Sequence, residues 1–169
     1  MPLAVTHVLL TIITIDLYRD YIAKNKKLFS LHTIVLGGIA GLLPDIDIPL
    51  GWIGQYFGIS IVHGSITHTP WFALLFFIPG LIFLHKGNKK NAVIYFVIGF
   101  GVLLHIFLDW FLGGGMREGV MWLFPFSMQA FKLHILGEIG DNVAAGIDAV
   151  LLLGWLWHEE VRHKIRDFI

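Results

Sequence analysis

Residues 92–112 read AVIYFVIGFGVLLHIFLDWFL, and the fold follows from how this stretch is read. It is an apolar run of bilayer length, because a ~30 Å hydrocarbon core takes about 20 helical residues. Only His105 and Asp109 carry side chains that are charged or titrate near neutrality within it. Their i, i+4 spacing sets them on one helical face, about one turn apart. Ionisable groups in or beside a bilayer are costly, so such a pair marks a functional site unless it is a buried hydrogen bond that fixes helix packing.

Four further apolar runs flank this one, at residues 3–17, 31–43, 70–85 and 139–157. The chain is 56% hydrophobic and 14% charged, more apolar than a soluble domain of 169 residues can bury. These runs predict an all-α integral membrane protein, a single domain over residues 1–169. It would be a bundle of about five transmembrane or partly embedded helices. Residues 51–69 and 113–132 are too polar or glycine-broken to span. The aromatic stretch 120–131 is expected to lie in the membrane interface. No basic stripe is present, which argues against a nucleic-acid partner. The absence of cysteine excludes disulfides and thiolate metal sites. The first residues lack a basic leader and read as retained.

Orientation follows from the basic residues. With the N-terminus outside and all five runs crossing, ten of the twelve Lys and Arg side chains fall inside, leaving Arg117 and Lys132 outside. A multi-pass protein of the cytoplasmic (inner) membrane is expected. The same topology gathers His7, Asp45, Asp47, His63, His68, His105, Asp109 and the His134/Glu138 pair on the extracytoplasmic side. Hydropathy and basic residues alone set that topology, so the gathering is independent of it. His32, His85, His158 and His163 fall on the other side and read as interfacial or solvated. Asp148, deep in an apolar run, is expected to orient a ligand histidine.

Mixed Asp/His donors suit zinc, manganese or iron. Taken singly, each motif also has a plainer reading: Asp45 and Asp47 as a hydrated loop, His63 and His68 as solvated side chains. Alternate residues of an extended turn point apart, so one of Asp45 and Asp47 is expected to be a direct ligand. Thr67 or Thr69 can cap a helix that starts at Pro70.

Thr6-His7, Pro44-Asp45-x-Asp47, His63-x-x-x-Thr67-His68, His105-x-x-x-Asp109 and Pro125-Phe126-Ser127 stand in this order across most of the chain. Together they resemble the inner-membrane family of membrane-bound metal-dependent hydrolases, whose bacterial members include a LexA-regulated protein. One departure is that Gly64 and Ser65 follow His63, where the family often has His-Arg-Gly. That removes an anion-binding guanidinium, a role open to Arg117 or Lys132. The ligand order is also similar to that of zinc-dependent phospholipase C and fungal single-strand nucleases. These resemblances imply two or three divalent ions per chain, zinc foremost and manganese or iron as alternatives. They imply hydrolysis of a phosphoester in a lipid or lipid-linked substrate drawn from the bilayer. Asp45, His68, His105 and Asp109 would hold the first ion, and His7, His63, His134 and Glu138 the second. Asp47 would act as general base or supporting carboxylate, and Arg117 would hold the phosphate. The competing expectation is an ion or proton transporter built on the same intramembrane residues.

Overall fold

The structure, a computed structural model, describes residues 3–113, 119–133, 135 and 140–164. The regular structure there is helical, and one isolated bridge pairs Val120 with Phe131. Helix α1 covers Ala4–Leu17 and continues into a π-helical turn, Tyr18–Ala23. Helix α2 covers Leu31–Ala40, with Ser30 accepting the Thr33 N–H as its N-cap. A 3-10 turn at Pro44–Ile46 leads into α3, Asp47–Gln55, bent by 47° from α2. A second 3-10 turn, Ile66–His68, precedes α4, Pro70–His85. Thr69 caps α4 by accepting the Phe72 N–H, with Pro70 in the first turn where its missing donor costs nothing. Helix α5, Lys89–Leu108, runs on through a π-helical turn at Asp109–Gly113, and α6 covers Asp141–His163.

Glycine decides how α2 meets its neighbours. A Cβ at Gly101 would lie 2.5 Å from the Gly37 carbonyl oxygen and 3.0 Å from the Gly41 nitrogen, so α5 and α2 touch backbone to backbone. Helix α2 also sits on α1 through glycine, with Gly37 against the Ile15 side chain and Gly38 against that of Ile12. The pairing makes α1 antiparallel to α2 and α5. It makes α6 parallel to α1, because Thr6 meets Asp148 and Arg19 meets Glu159. Ile12, Ile15, Ile34 and Val97 fill the middle of the bundle; Ala73, Val102, Ile106 and Val120 form a second core between α4 and α5.

In the aromatic segment Val120 and Met121 are buried, while Leu123, Phe126, Met128 and Phe131 are exposed. The Val120–Phe131 bridge closes that segment into a loop. Residues 51–55 are not loop but the end of α3, because Asp47, Ile48 and Pro49 make a sound first turn for a helix. Among the described residues one helix, Lys89–Leu112, is long and apolar enough to cross a membrane. Helices α2 and α3 pass the same test only as a bent pair, and α4 is a shorter apolar helix.

Candidate metal centre

Seven of the expected side chains meet at one end of the bundle. His7 comes from the first turns of α1, Asp45 and Asp47 from the break between α2 and α3. His63 and His68 come from the approach to α4, and His105 and Asp109 from the end of α5. Four separate stretches of chain therefore supply the cluster. His7, Asp47, His68, His105 and Asp109 are buried, while the side chains of Asp45 and His63 keep 30% and 25% of their surface open. Those two mark the mouth.

His105 and His68 present Nε2 to the centre of the cluster and anchor Nδ1 from behind. His105 Nδ1 lies 2.6 Å from the Gly41 carbonyl oxygen, which assigns that nitrogen the proton. Its Nε2 faces Asp109 at 3.1 Å and Asp45 at 3.5 Å. His68 turns Nδ1 towards Asp47 at 3.4 Å and Thr67 Oγ1 at 3.1 Å. Its Nε2 faces Asp109 at 3.5 Å and Asp45 at 3.8 Å. Neither Nε2 has a hydrogen-bond partner, although both are buried. His7 reaches Asp109 with Nε2 at 3.3 Å and stacks on His105 with ring centroids 3.9 Å apart. Two triads interlock in this way, His7–His105–Asp109 and Asp45–His63–His68, with the candidate ligand atoms of each within 4.8 Å of one another.

The spacing speaks to what fits between them. Metal–ligand bonds of about 2.0–2.2 Å in a tetrahedral array put neighbouring ligand atoms roughly 3.3–3.6 Å apart. The 3.1–3.5 Å separations around Asp109 match that edge better than they match a short charge-assisted hydrogen bond of about 2.7–2.9 Å. Orphaned, buried imidazole nitrogens facing carboxylates are the donor set a divalent ion needs. Electrostatics point the same way. Burial opposes a charge on His68, yet the facing carboxylates of Asp109 and Asp47 outweigh it and raise its pKa above the usual 6.5. The cluster attracts positive charge.

Asp45 and Asp47 both enter the cluster, for a reason other than the expected extended turn. The chain there is helical and not extended, and side chains two apart on a helix also diverge, so the two carboxylates reach the cluster from different sides. Asp45 faces the Nε2 atoms. Asp47 lies behind them, 2.7 Å from His63 Nδ1, while accepting from Thr67 Oγ1 at 2.8 Å and Gly64 N at 3.2 Å. With Asp47 2% exposed, its carboxylate serves to hold two histidines in place. Asp148 accepts from Thr6 Oγ1 at 2.7 Å and so steadies the residue beside His7, not a ligand imidazole as expected. His134, Glu138 and Arg117 lie outside the described residues.

A second polar cluster, which the sequence reading missed, occupies the opposite end of α1. Arg19 reaches Asp16 at 2.6 Å, Asp20 at 2.9 Å and Glu159 at 3.3 Å, and all four are almost fully buried. His163 lies 2.8 Å from Asp20, and His158 lies 3.5 Å from Asp16. Trp155 donates its indole N–H to Asp16. His158 and His163 are thus members of a packed network and not solvated. Burial works against the charge on Asp20, but hydrogen bonds from Arg19 and His163 prevail and lower its pKa below the ordinary 3.8. The available signal was spacing: Asp16/Asp20 and Glu159/His163 are both i, i+4 pairs.

Fold and cluster together define a class, a small helical bundle with an apolar exterior and a candidate metal centre at one end. Within that class, the chain belongs to the YdjM inner membrane protein family, whose model matches residues 1–165. The family places it in a lipid bilayer. No curated protein and no solved structure matches it.

Proposed function

We propose that this protein is a membrane-embedded, metal-dependent hydrolase, a phosphoesterase acting on a lipid or lipid-linked substrate at the outer face of the inner membrane. The observation that carries the reading is the pair of buried, unpartnered Nε2 atoms of His68 and His105, turned towards Asp45 and Asp109 while their Nδ1 atoms are held from behind. Asp45, His68, His105 and Asp109 would hold one divalent ion, and His7 and His63 would contribute to a second. Zinc is the first choice for this donor set, with manganese or iron as alternatives. Bound divalent ions would bring the pKa of a water towards neutrality and neutralise charge on the attacked phosphoryl group.

The chain's own residues do the rest. Asp47 fixes the tautomer of His63 by facing its Nδ1, which leaves His63 Nε2 at the open mouth. Gly41 does the same for His105 through its carbonyl. Asp45 and His63 have the most open side chains of the cluster, so water would reach it from their side. A multi-pass topology with the Lys-rich turns inside would put the cluster at the extracytoplasmic end.

A transporter would need polar groups through the depth of the bundle. The apolar layer of Ile12, Ile15, Ile34 and Val97 lies between the two polar clusters, which supports a one-sided site instead. The deep carboxylates Asp16 and Asp148 have local partners in Arg19 and Thr6. The test is elemental analysis of the protein purified in detergent, beside a His105→Ala/Asp109→Ala double variant. Two or more zinc, manganese or iron ions per chain, lost in the variant, are expected and would justify a screen of lipid phosphoesters. Wild-type protein that stays metal-free after incubation with divalent ions would overturn the reading.

A further inference from the structure

Between Asp47 and His63 the chain runs IPLGWIGQYFGISIV, fifteen residues without a charge. It folds as a hairpin in which α3 goes out and residues 59–62 return. Its small residues face inward: a Cβ at Gly54 would lie 2.8 Å from the Ile59 carbonyl oxygen, and one at Gly51 would lie 3.6 Å from that of Ile61. Its large residues face outward, with Trp52 65%, Tyr56 89% and Phe57 76% exposed, and Ile53 and Ile59 also open. This is the reverse of what water selects. The backbone at the tip is closed on itself. Tyr56 N–H donates to the Ile53 carbonyl, and Phe57 and Ile59 N–H both donate to that of Gly54. Gly58 N–H donates to that of Gln55.

We propose that residues 48–62 form a re-entrant arm seated in the interfacial layer of the bilayer, and that the mouth of the metal centre therefore opens onto lipid. Three features fix the occupant as lipid. Hydrocarbon and the glycerol region demand satisfied backbone donors and no charge, and the tip meets both conditions. Exposed Trp and Tyr are the side chains enriched at membrane interfaces. The apolar surface also continues along the chain, through Ile66 and Trp71 onto the exposed face of α4 at Leu74, Leu75 and Ile78. In an inner membrane protein, that helix face already meets lipid. The arm is bracketed by Asp45 and His63, the two site residues whose side chains are most open. The inference concerns where the mouth opens and holds whether or not the centre hydrolyses anything.

The chain has no cysteine, so single labels are clean. Ile53→Cys, Phe57→Cys and, as an aqueous reference, Lys90→Cys would each be spin-labelled and reconstituted in phosphatidylglycerol/phosphatidylcholine vesicles. Collision rates with oxygen and with a nickel chelate would then be read. Labels at 53 and 57 are expected to meet the chelate severalfold less often than the label at 90, and oxygen more often. Chelate access equal to that at 90 would make the arm an aqueous loop and overturn the proposal. Shielding from both reagents would mean a protein partner covers the arm, and would overturn it as well. If the Phe57 variant fails to fold, Tyr56→Cys reads the same exposed tip.

Discussion

Replacing Asp47 by Asn tests the site without touching an atom that faces its centre. The carboxylate has four neighbours: His63 Nδ1 at 2.7 Å, Thr67 Oγ1 at 2.8 Å, Gly64 N at 3.2 Å and His68 Nδ1 at 3.4 Å. An amide keeps one oxygen and turns the other into a donor. The oxygen must stay towards Gly64 N–H and Thr67, because the backbone donor cannot reverse. The NH2 group then faces His63 Nδ1, which must become an acceptor, so the proton moves to Nε2. That nitrogen can no longer ligate. One charge-assisted hydrogen bond, worth about 1.5–3 kcal/mol, is lost at His63, while His68 keeps an oxygen acceptor without its charge. Loss of such an orienting partner costs about 10- to 100-fold in metal affinity, or roughly 1.4–2.7 kcal/mol. Competition against a chromophoric chelator in detergent measures this directly, with circular dichroism as the check on folding. A folded Asp47→Asn protein that binds metal as tightly as wild type would refute the argument that Asp47 sets the tautomers.

Three further outcomes are expected. Gly101→Ala pushes α5 off the backbone of α2 and carries His105 away from the Gly41 carbonyl. It should destabilise by about 1–3 kcal/mol and lower metal content together, and unchanged melting with unchanged metal would contradict the close contact. Asp20, whose folded pKa lies below 3.8, contributes stability that is present above that value and lost as pH falls through and below it. Denaturation midpoints should therefore drop between pH 5 and the acid range, by less in Asp20→Asn; an identical slope in both proteins would remove Asp20 from the account. Chelation of bound metal should lower the melting temperature. Saturation at about 100 times Kd supplies about 2.7 kcal/mol, or roughly 5–11 °C for a chain of this size. A melting temperature indifferent to chelator would argue that the ion does not bridge the helices.

Much of the candidate site was legible because the solvent penalises it. A histidine or aspartate in an apolar run stands out by its cost, so His7, His105 and Asp109 could be singled out without knowing what they touch. The convergence of His63, His68 and Asp45 followed from topology alone. The division of labour between Asp45 and Asp47 was half-read: one carboxylate does face the centre and one stands behind, yet the helical break, not an extended turn, arranges them. Helix α3 escaped because Gly51 and Gly54 look like breakers in sequence, while in space they let the returning chain approach. The Arg19 network escaped for a different reason. Asp16, Arg19 and Asp20 end an apolar run beside a Lys-rich turn, and His158, Glu159 and His163 end another, which is also how solvated helix ends look. Only the parallel pairing of α1 with α6 turns them towards each other, and hydropathy does not encode which helices are neighbours.

That network bears on the metal centre through α1, the one helix that enters both clusters. A buried ion pair contributes little net stability against an apolar substitute, but removing one partner strands the other charges and costs several kcal/mol. Its use lies in register. Helix α1 has no hydrogen-bonded cap from a polar N-cap side chain. Arg19 against Glu159 at one end, and Thr6 against Asp148 at the other, fix the height of α1 relative to α6. A slip of one turn, about 5.4 Å, would separate both pairs at once. Both pairs therefore tie α6 to the helix that carries His7, whose Nε2 lies 3.3 Å from Asp109.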